Sequence, residues 1–221
     1  MFDKIWLDLL NNLLGLDVGG HTDQQFLELG GISLHLPSTE QAFLTNNARA
    51  ASEAYGWARV LWLLESRASV DSLQAYKPRF ISFVDGPLNS FYKLSNQLDK
   101  AMLDLHDYGK AYSQFLQPER QLGQVSLKFD KTEGKLNLRA VTYAEDAWHT
   151  LPYTVFSSTR IQRAIAASLG GAAGSYTHSV ISMRLYTKDY PKAVEASKSF
   201  YAGDKSARQD FNIALSEFKD L

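Results

Sequence analysis

The 221 residues contain no cysteine. Disulfides, thiolate metal sites and a cysteine nucleophile are thereby excluded together. Such a chain fits a reducing compartment, and a cytoplasmic location is expected. The chain also lacks an excess of either charge: 23 Lys and Arg face 24 Asp and Glu, a formal net charge of -1. That balance provides no general attraction for nucleic acid or for an anionic membrane. No apolar run approaches the about 20 residues that span a bilayer. The stretch from Met1 to Leu16 is apolar, but Asp3 and Asp8 interrupt it and no basic segment leads into a clean apolar core. It does not read as a signal peptide. Metal-ligand spacing is missing as well. His21, His35, His106, His149 and His178 form no His-x-x-x-His or His-Glu-x-x-His pattern, so no metal site is expected. The glycine-rich run Gly170 to Gly174 lacks the Lys-Ser/Thr of a phosphate-binding loop and follows an expected helix, which makes it a helix stop.

What is present describes a soluble globular chain. Hydrophobic residues make up 45% and charged residues 21%, enough for one domain with its own core. We read residues 1–221 as that single domain, with an N-terminal helix and loop over 1–22 and C-terminal helices over 187–221. Phe2, Ile5, Trp6, Leu9, Leu10, Leu13 and Leu14 recur at helical spacing, as in a docked or partner-facing helix. Ile32, Leu34 and Leu36 alternate, predicting a strand from Gly31 to Leu36. Ala54, Trp57, Ala58, Leu61, Trp62 and Leu64 predict a helix over Ser52 to Ser66 with a wide buried face. A short helix is expected over Val70 to Tyr76, a turn at Asp85-Gly86-Pro87, and a helix over Ser95 to Leu105.

Strands are expected over Ala111 to Leu116, Gly123 to Asp130 and Lys135 to Tyr143, the last two joined by a hairpin turn at Glu133-Gly134. Leu136, Leu138, Ala140 and Thr142 share one strand face. A long helix follows from Tyr153 to Leu169. Then comes a strand from Ser175 to Tyr186, with Val180, Ser182, Arg184 and Tyr186 on one side. Beyond Tyr190 the pattern is that of two polar-faced helices. Helices and strands alternate without repeats, which implies an α+β fold.

Several segments, taken in order, resemble the thymidylate synthase family, which includes the pyrimidine hydroxymethylases. They are Leu29 to Pro37, Ala58 to Leu64, Ser126 to Phe129, Lys135 to Leu138, Asp146 to Phe156 and Gly174 to Tyr186. The resemblance implies a mixed twisted sheet flanked by helices, and a dimer packed through the sheet face. Phe83, Phe115, Phe129 and Val141 are candidates for that interface or for the core.

Carried over residue by residue, the resemblance implies a degenerate site. Gly123 stands where the family has its nucleophilic cysteine, and glycine cannot add to a pyrimidine ring. Arg59 replaces the glutamate that manages proton transfer, and arginine is no base at neutral pH. Tyr143 and Ala144 replace the phosphate-binding Arg-Ser pair, and Gly109 falls at a second phosphate-binding arginine. Thr154 replaces the base-reading asparagine or aspartate, and Arg184 replaces the histidine of His-x-Tyr. Asp146, Trp148 and Tyr186 remain, with Pro152 and Tyr153 beside them.

The resemblance therefore implies a catalytically inactive member, a binding or assembly subunit. It would form a homodimer or a heterodimer with a relative, use no cofactor, and retain a pocket for a nucleotide-like ligand around Asp146, Trp148, Thr154, Arg184 and Tyr186. The alternative is an active one-carbon transferase acting at C5 of a pyrimidine nucleotide with a folate donor, by cysteine-free chemistry. Outside that pocket, His149 is expected at its rim and His178 on a strand, and Arg160 and Arg163 on a solvated face. Asp104, Asp107 and Glu119 show no paired-carboxylate logic.

Overall fold

In the computed structural model the chain is described over residues 1–16, 25–64, 95–116 and 124–201. The expected helix at Val70 to Tyr76, the turn at Asp85 to Pro87, Phe83, His21, Glu119, Gly123 and the last expected helix lie outside those residues. The described elements are α1 (Phe2–Leu14), β1 (Phe26–Leu36), α2 (Glu53–Leu64), α3 (Ser95–Tyr108), β2 (Lys110–Leu116), β3 (Gln124–Thr132), β4 (Lys135–Asp146), α4 (Leu151–Ser168), β5 (Ala172–Tyr186) and α5 (Tyr190–Tyr201). A short 3-10 turn, Thr187–Asp189, precedes α5.

The sheet is built outward from the expected hairpin. Glu133 and Gly134 both take positive φ, 52 and 74 degrees, as a two-residue turn between twisted antiparallel strands requires. β3 and β4 then pair from Thr132 with Lys135 to Val125 with Thr142. β2 adds antiparallel to β3. β5 instead lies parallel to β4, and parallel neighbours need a crossover, which α4 supplies. β1 closes the other edge, antiparallel to β5, giving the order β1-β5-β4-β3-β2. The architecture is α+β, a mixed five-stranded sheet flanked by helices.

One sheet face is covered and the other is open. Leu136, Leu138, Ala140 and Thr142 are buried as expected, while Arg139, Val141 and Tyr143 between them are exposed. Phe115 and Phe129 belong to the core, and Val141 belongs to the open face. The alternation slips by one residue along a single row of the sheet. In β5 the buried set passes from Tyr176, His178, Val180 and Ser182 to Met183 and Leu185; in β4 it passes from Ala144 to Glu145. Those positions are register partners, and Gly30 of β1 pairs with Ser182 in the same row. The next residue, Gly31, has φ +63 degrees, a conformation that glycine adopts without strain. This slip overturns the expected grouping of Arg184 and Tyr186 with Val180 and Ser182, because a strand that loses a residue of phase reverses its faces.

Other boundaries differ for local reasons. β1 begins at Phe26 rather than Gly31, since the two glycines are accommodated within the strand. α3 runs on to Tyr108 and ends on Gly109, whose φ of +68 degrees closes the last turn. α4 starts at Leu151, with Pro152 in its first turn, where a missing N–H costs nothing. The buried face of α2 is not the expected one. Tyr55, Arg59 and Leu63 are buried with Ala58 and Trp62, whereas Trp57 and Leu61 are exposed. The helix is apolar on more than one side, so its stripe is ambiguous.

α1 docks as its spacing suggests. Phe2, Trp6, Leu10 and Leu13 are fully buried, and Asp3 ties the following loop by accepting the Thr45 and Asn46 N–H groups at 2.9 and 2.8 Å. No helix among the described residues is long and apolar enough to cross a membrane. α2 meets α4 where a side chain is forbidden: a Cβ on Gly56 would stand 2.8 Å from the Phe156 ring. Gly56→Ala gains about 1 kcal/mol of helix propensity. It must also displace a fully buried ring, and overpacking costs about 1 to 3 kcal/mol. We expect a net loss in urea unfolding, whereas Gly30→Ala, whose nearest neighbour is Ile181 O at 3.8 Å, should be near neutral. Equal midpoints for the two variants would refute this packing.

Candidate functional site

The site expected from sequence is organised by the turn between β4 and α4. Within four residues the chain must leave the sheet and enter a buried helix, so its N–H groups need partners other than water. Asp146, only 5% exposed, supplies two: its Oδ1 accepts the N–H of Trp148 and of His149, each at 2.8 Å. Burial pushes the Asp146 carboxyl above its ordinary value; His149 and those two N–H groups hold it back. Thr150 points back into the core, where its hydroxyl donates to Glu145 Oε1 and accepts the Asp146 N–H at 3.2 Å. Thr154, fully buried, has one hydroxyl proton with two acceptors in reach, Thr150 O at 3.2 Å and Glu145 Oε1 at 3.4 Å.

Asp146, Trp148 and Thr154 are thus brought together, but as parts of the turn itself. Trp148 is buried against Trp6, ring centroids 5.4 Å apart, and Arg49 lies over its face at 5.8 Å. Arg184 and Tyr186 sit at the end of β5. The Arg184 Nε donates to Ser182 Oγ at 2.9 Å and lies 3.8 Å from Glu28, with the guanidinium 4.5 Å over Phe26. Tyr186 packs edge-on to the same Phe26 ring at 5.7 Å. The two groups meet through the backbone, since Asp146 and Arg184 are register partners and Arg184 O accepts the Ala147 N–H at 2.8 Å.

The positions that the resemblance implies are substituted scatter. Arg59 is fully buried in α2, Ala144 is buried in β4, and Tyr143 is 69% exposed on the open sheet face. Gly109 is used as a turn, its N–H on Leu105 O at 3.2 Å and its carbonyl accepting the Lys131 N–H at 2.7 Å. Gly123 lies outside the described residues.

Five further residues complete the site, and the sequence signals them weakly or not at all. Arg49 donates to the carbonyls of Trp148 and His149, the latter at 3.3 Å, and so clamps the turn from outside. Glu145 is fully buried beneath α4. His149, one-third exposed, has its Nε2 2.9 Å from Asp189 Oδ2, a carboxylate 4% exposed. His178 is fully buried on β5, its Nε2 3.2 Å from the Thr142 hydroxyl and 3.9 Å from Glu145 Oε2. Only strand alternation signalled His178, and nothing local signalled Arg49 or Asp189. Arg160 is not simply solvated: its guanidinium lies 4.9 Å over Phe156 and 5.3 Å over Trp57, and partial burial lowers its pKa.

Chemically, the arrangement offers a carboxylate-oriented imidazole, His149 with Asp189, suited to hydrogen bonding or proton exchange. Its hydroxyls and buried carboxylates are turned inward. No group of three or more His, Cys, Asp or Glu able to hold a metal occurs among the described residues.

Two outcomes follow. Asp146→Asn keeps an Oδ1 acceptor for both N–H groups and should unfold near the parent midpoint, whereas Asp146→Ala strands two buried donors at about 1 to 3 kcal/mol each. Indistinguishable urea curves would show that the two bonds carry no stability. Burial pushes the His178 imidazole down from 6.5 to about 3. Between those values the unfolded chain binds a proton that the folded chain refuses. This contribution to stability is complete above pH 6.5 and is lost as pH falls toward 3, by up to about 1.4 kcal/mol per unit. Asp146, raised above 3.8, acts in the opposite direction: its contribution is full below that value and is lost as pH rises through its folded pKa. The difference between parent and His178→Gln isolates the histidine, and a pH-independent difference would rule this assignment out.

No protein-family model matches the chain, and no curated protein matches it. Among solved structures it is similar to the thermostable thymidylate synthase A from Bacillus subtilis, with a TM-score of 0.69 at 13% sequence identity, over 90% of this chain and 84% of that one. At that identity the likeness is one of fold, and the fold is thymidylate-synthase-like.

Proposed function

We infer that this chain is a catalytically inactive thymidylate-synthase-like protein, a binding or assembly subunit rather than an enzyme. The observation that carries the reading is the absence of any cysteine from a chain of this fold. In the family it resembles, a thiolate opens the reaction by adding to the pyrimidine ring, and no other residue type of this chain replaces it by simple substitution. The geometry at the old pocket supports the same reading. The Asp146 Oδ1 and the Thr154 hydroxyl are engaged in holding the β4–α4 turn.

The open sheet face supports a role in assembly. Val141, Tyr143 and Ile181 are 44, 69 and 55% exposed on adjoining strands, an apolar cluster suited to burial against a second copy or a relative with an intact site. A nucleotide-like ligand would approach Trp148, Arg184 and Tyr186, where the Arg184 guanidinium supplies hydrogen-bond donors. No folate is required by this reading.

The test is tritium release from C5 of dUMP and of dCMP with a reduced folate donor, alongside calorimetric titration of each nucleotide. We expect no release. Heat of binding would identify a ligand-binding module, and its absence a scaffold. Turnover that disappears in Tyr186→Phe would establish the active transferase instead and defeat this proposal.

A further inference from the structure

A second copy and a relative are both able to cover the apolar cluster of the open sheet face, but the charge on that face distinguishes them. Between the hairpin and the cluster, the described residues of this face carry Lys110, Lys128 and Arg139 against one carboxylate, Asp130. Asp130 stands opposite Lys110, whereas Lys128 and Arg139 stand directly opposite each other. Like charges in that position repel and weaken a sheet. Neither has a hydrogen-bond or ion-pair partner among the described residues, and the Lys128 ammonium only lies 5.9 Å over the Tyr112 ring. Glu28, farther along on β1, is matched by Arg184 at 3.8 Å. The whole chain carries -1, so the surplus of cations belongs to this face.

These cations lie too close to the apolar cluster to stay outside an interface built on it. Arg139 is two residues from Val141 on β4, and Lys128 is two from Ser126, the register partner of Val141. Two residues of strand span about 7 Å. A sheet packed over Val141, Tyr143 and Ile181 therefore reaches Lys128 and Arg139 and takes water from them. A charge so buried needs a partner of opposite sign. A second copy does not supply it: wherever the twofold axis lies, doubling this face doubles the excess of cations over carboxylates. The two cations also border a groove of about 390 Å³, with Asn137 and Thr177 in its lining, which a purely apolar partner would leave unfilled.

Given the assembly role proposed above, on which this rests, we propose that the partner on this face is a relative with an acidic sheet face and not a second copy. Its Asp or Glu side chains enter the groove and pair with Lys128 and Arg139. Arg139 can hold a carboxylate with two parallel N–H groups, and Lys128 adds a point charge. The repulsion across the two strands then becomes a pair of charge-assisted contacts. The same two residues act in both directions, attracting the acidic partner and repelling another copy of this chain.

Lys128→Glu with Arg139→Glu turns a copy of the chain into a stand-in for the acidic partner. Sedimentation velocity, with one species fluorescently labelled, compares the parent alone, this variant alone and the two mixed. The mixture should associate about tenfold more tightly than either alone at about 50 mM salt, and lose most of that advantage at about 500 mM. Tyr143→Asp should weaken the mixed pair by about tenfold. Lys128→Gln with Arg139→Gln should self-associate more tightly than the parent, which decides the matter if the Glu pair fails to fold, and Lys192→Gln on α5 should change nothing. Parent self-association as tight as that of the mixture, or untouched by the Gln pair, would make a second copy the partner; the proposal then falls while the assembly reading stands. No association in any pairing would remove both. A single-stranded oligonucleotide that displaces the acidic copy would assign the face to nucleic acid and overturn the proposal as well.

Discussion

The constraint on which this structure depends is the satisfaction of the backbone between β4 and α4. The chain turns there largely shielded from water, and side chains must complete what the sheet and the helix leave open. Asp146 does so from within the turn. Other elements then use the same residues as their anchor. Trp6 of α1 donates its Nε1 proton to Ala147 O at 2.7 Å. Arg49 holds the next two carbonyls, β5 accepts the Ala147 N–H, and Asp189 reaches His149 from the 3-10 turn. Helix, loop, strand and terminal segment converge on three residues, Ala147 to His149.

On the reading proposed above, that convergence is how such a fold would outlast its chemistry. A polar residue at such a junction answers to two demands, one from a ligand and one from the backbone. When the first lapses, the second still holds the residue in place. Asp146 and Trp148 fit this account: both are buried, and each has partners inside the protein. Arg59 and Tyr143, which that reading takes as replacements, differ: Arg59 is buried and Tyr143 faces solvent on the open sheet.

The legible part of the fold was its local part. The Glu133-Gly134 turn, the alternation in β4 and the amphipathic spacing of α1 each state their structure within a few residues, and each is found. The buried face of α2 is not legible because apolar residues surround the helix, so periodicity alone does not choose a face. The phase of β5 is not legible because its slip is shared with β1 and β4 and resides only in the pairing. At the site, the Asp146 to Tyr153 run was recognisable, but its partners were not. Arg49 is 99 residues from the carbonyl it holds, and Asp189 is 40 from His149. Such contacts leave no trace at short range.

The pairing of β1 with β5 carries a consequence for the order in which the molecule is made. Phe26 sits opposite Tyr186, and the indole of Trp6 waits for a carbonyl 141 positions later. Contacts of that span form slowly, because a long loop must close before either end is rewarded. During synthesis an entire strand edge and the greasy side of the first helix leave the ribosome long before their mates exist. The nascent polypeptide is therefore at its most vulnerable early, and its final edge is sealed only by almost the last strand to emerge.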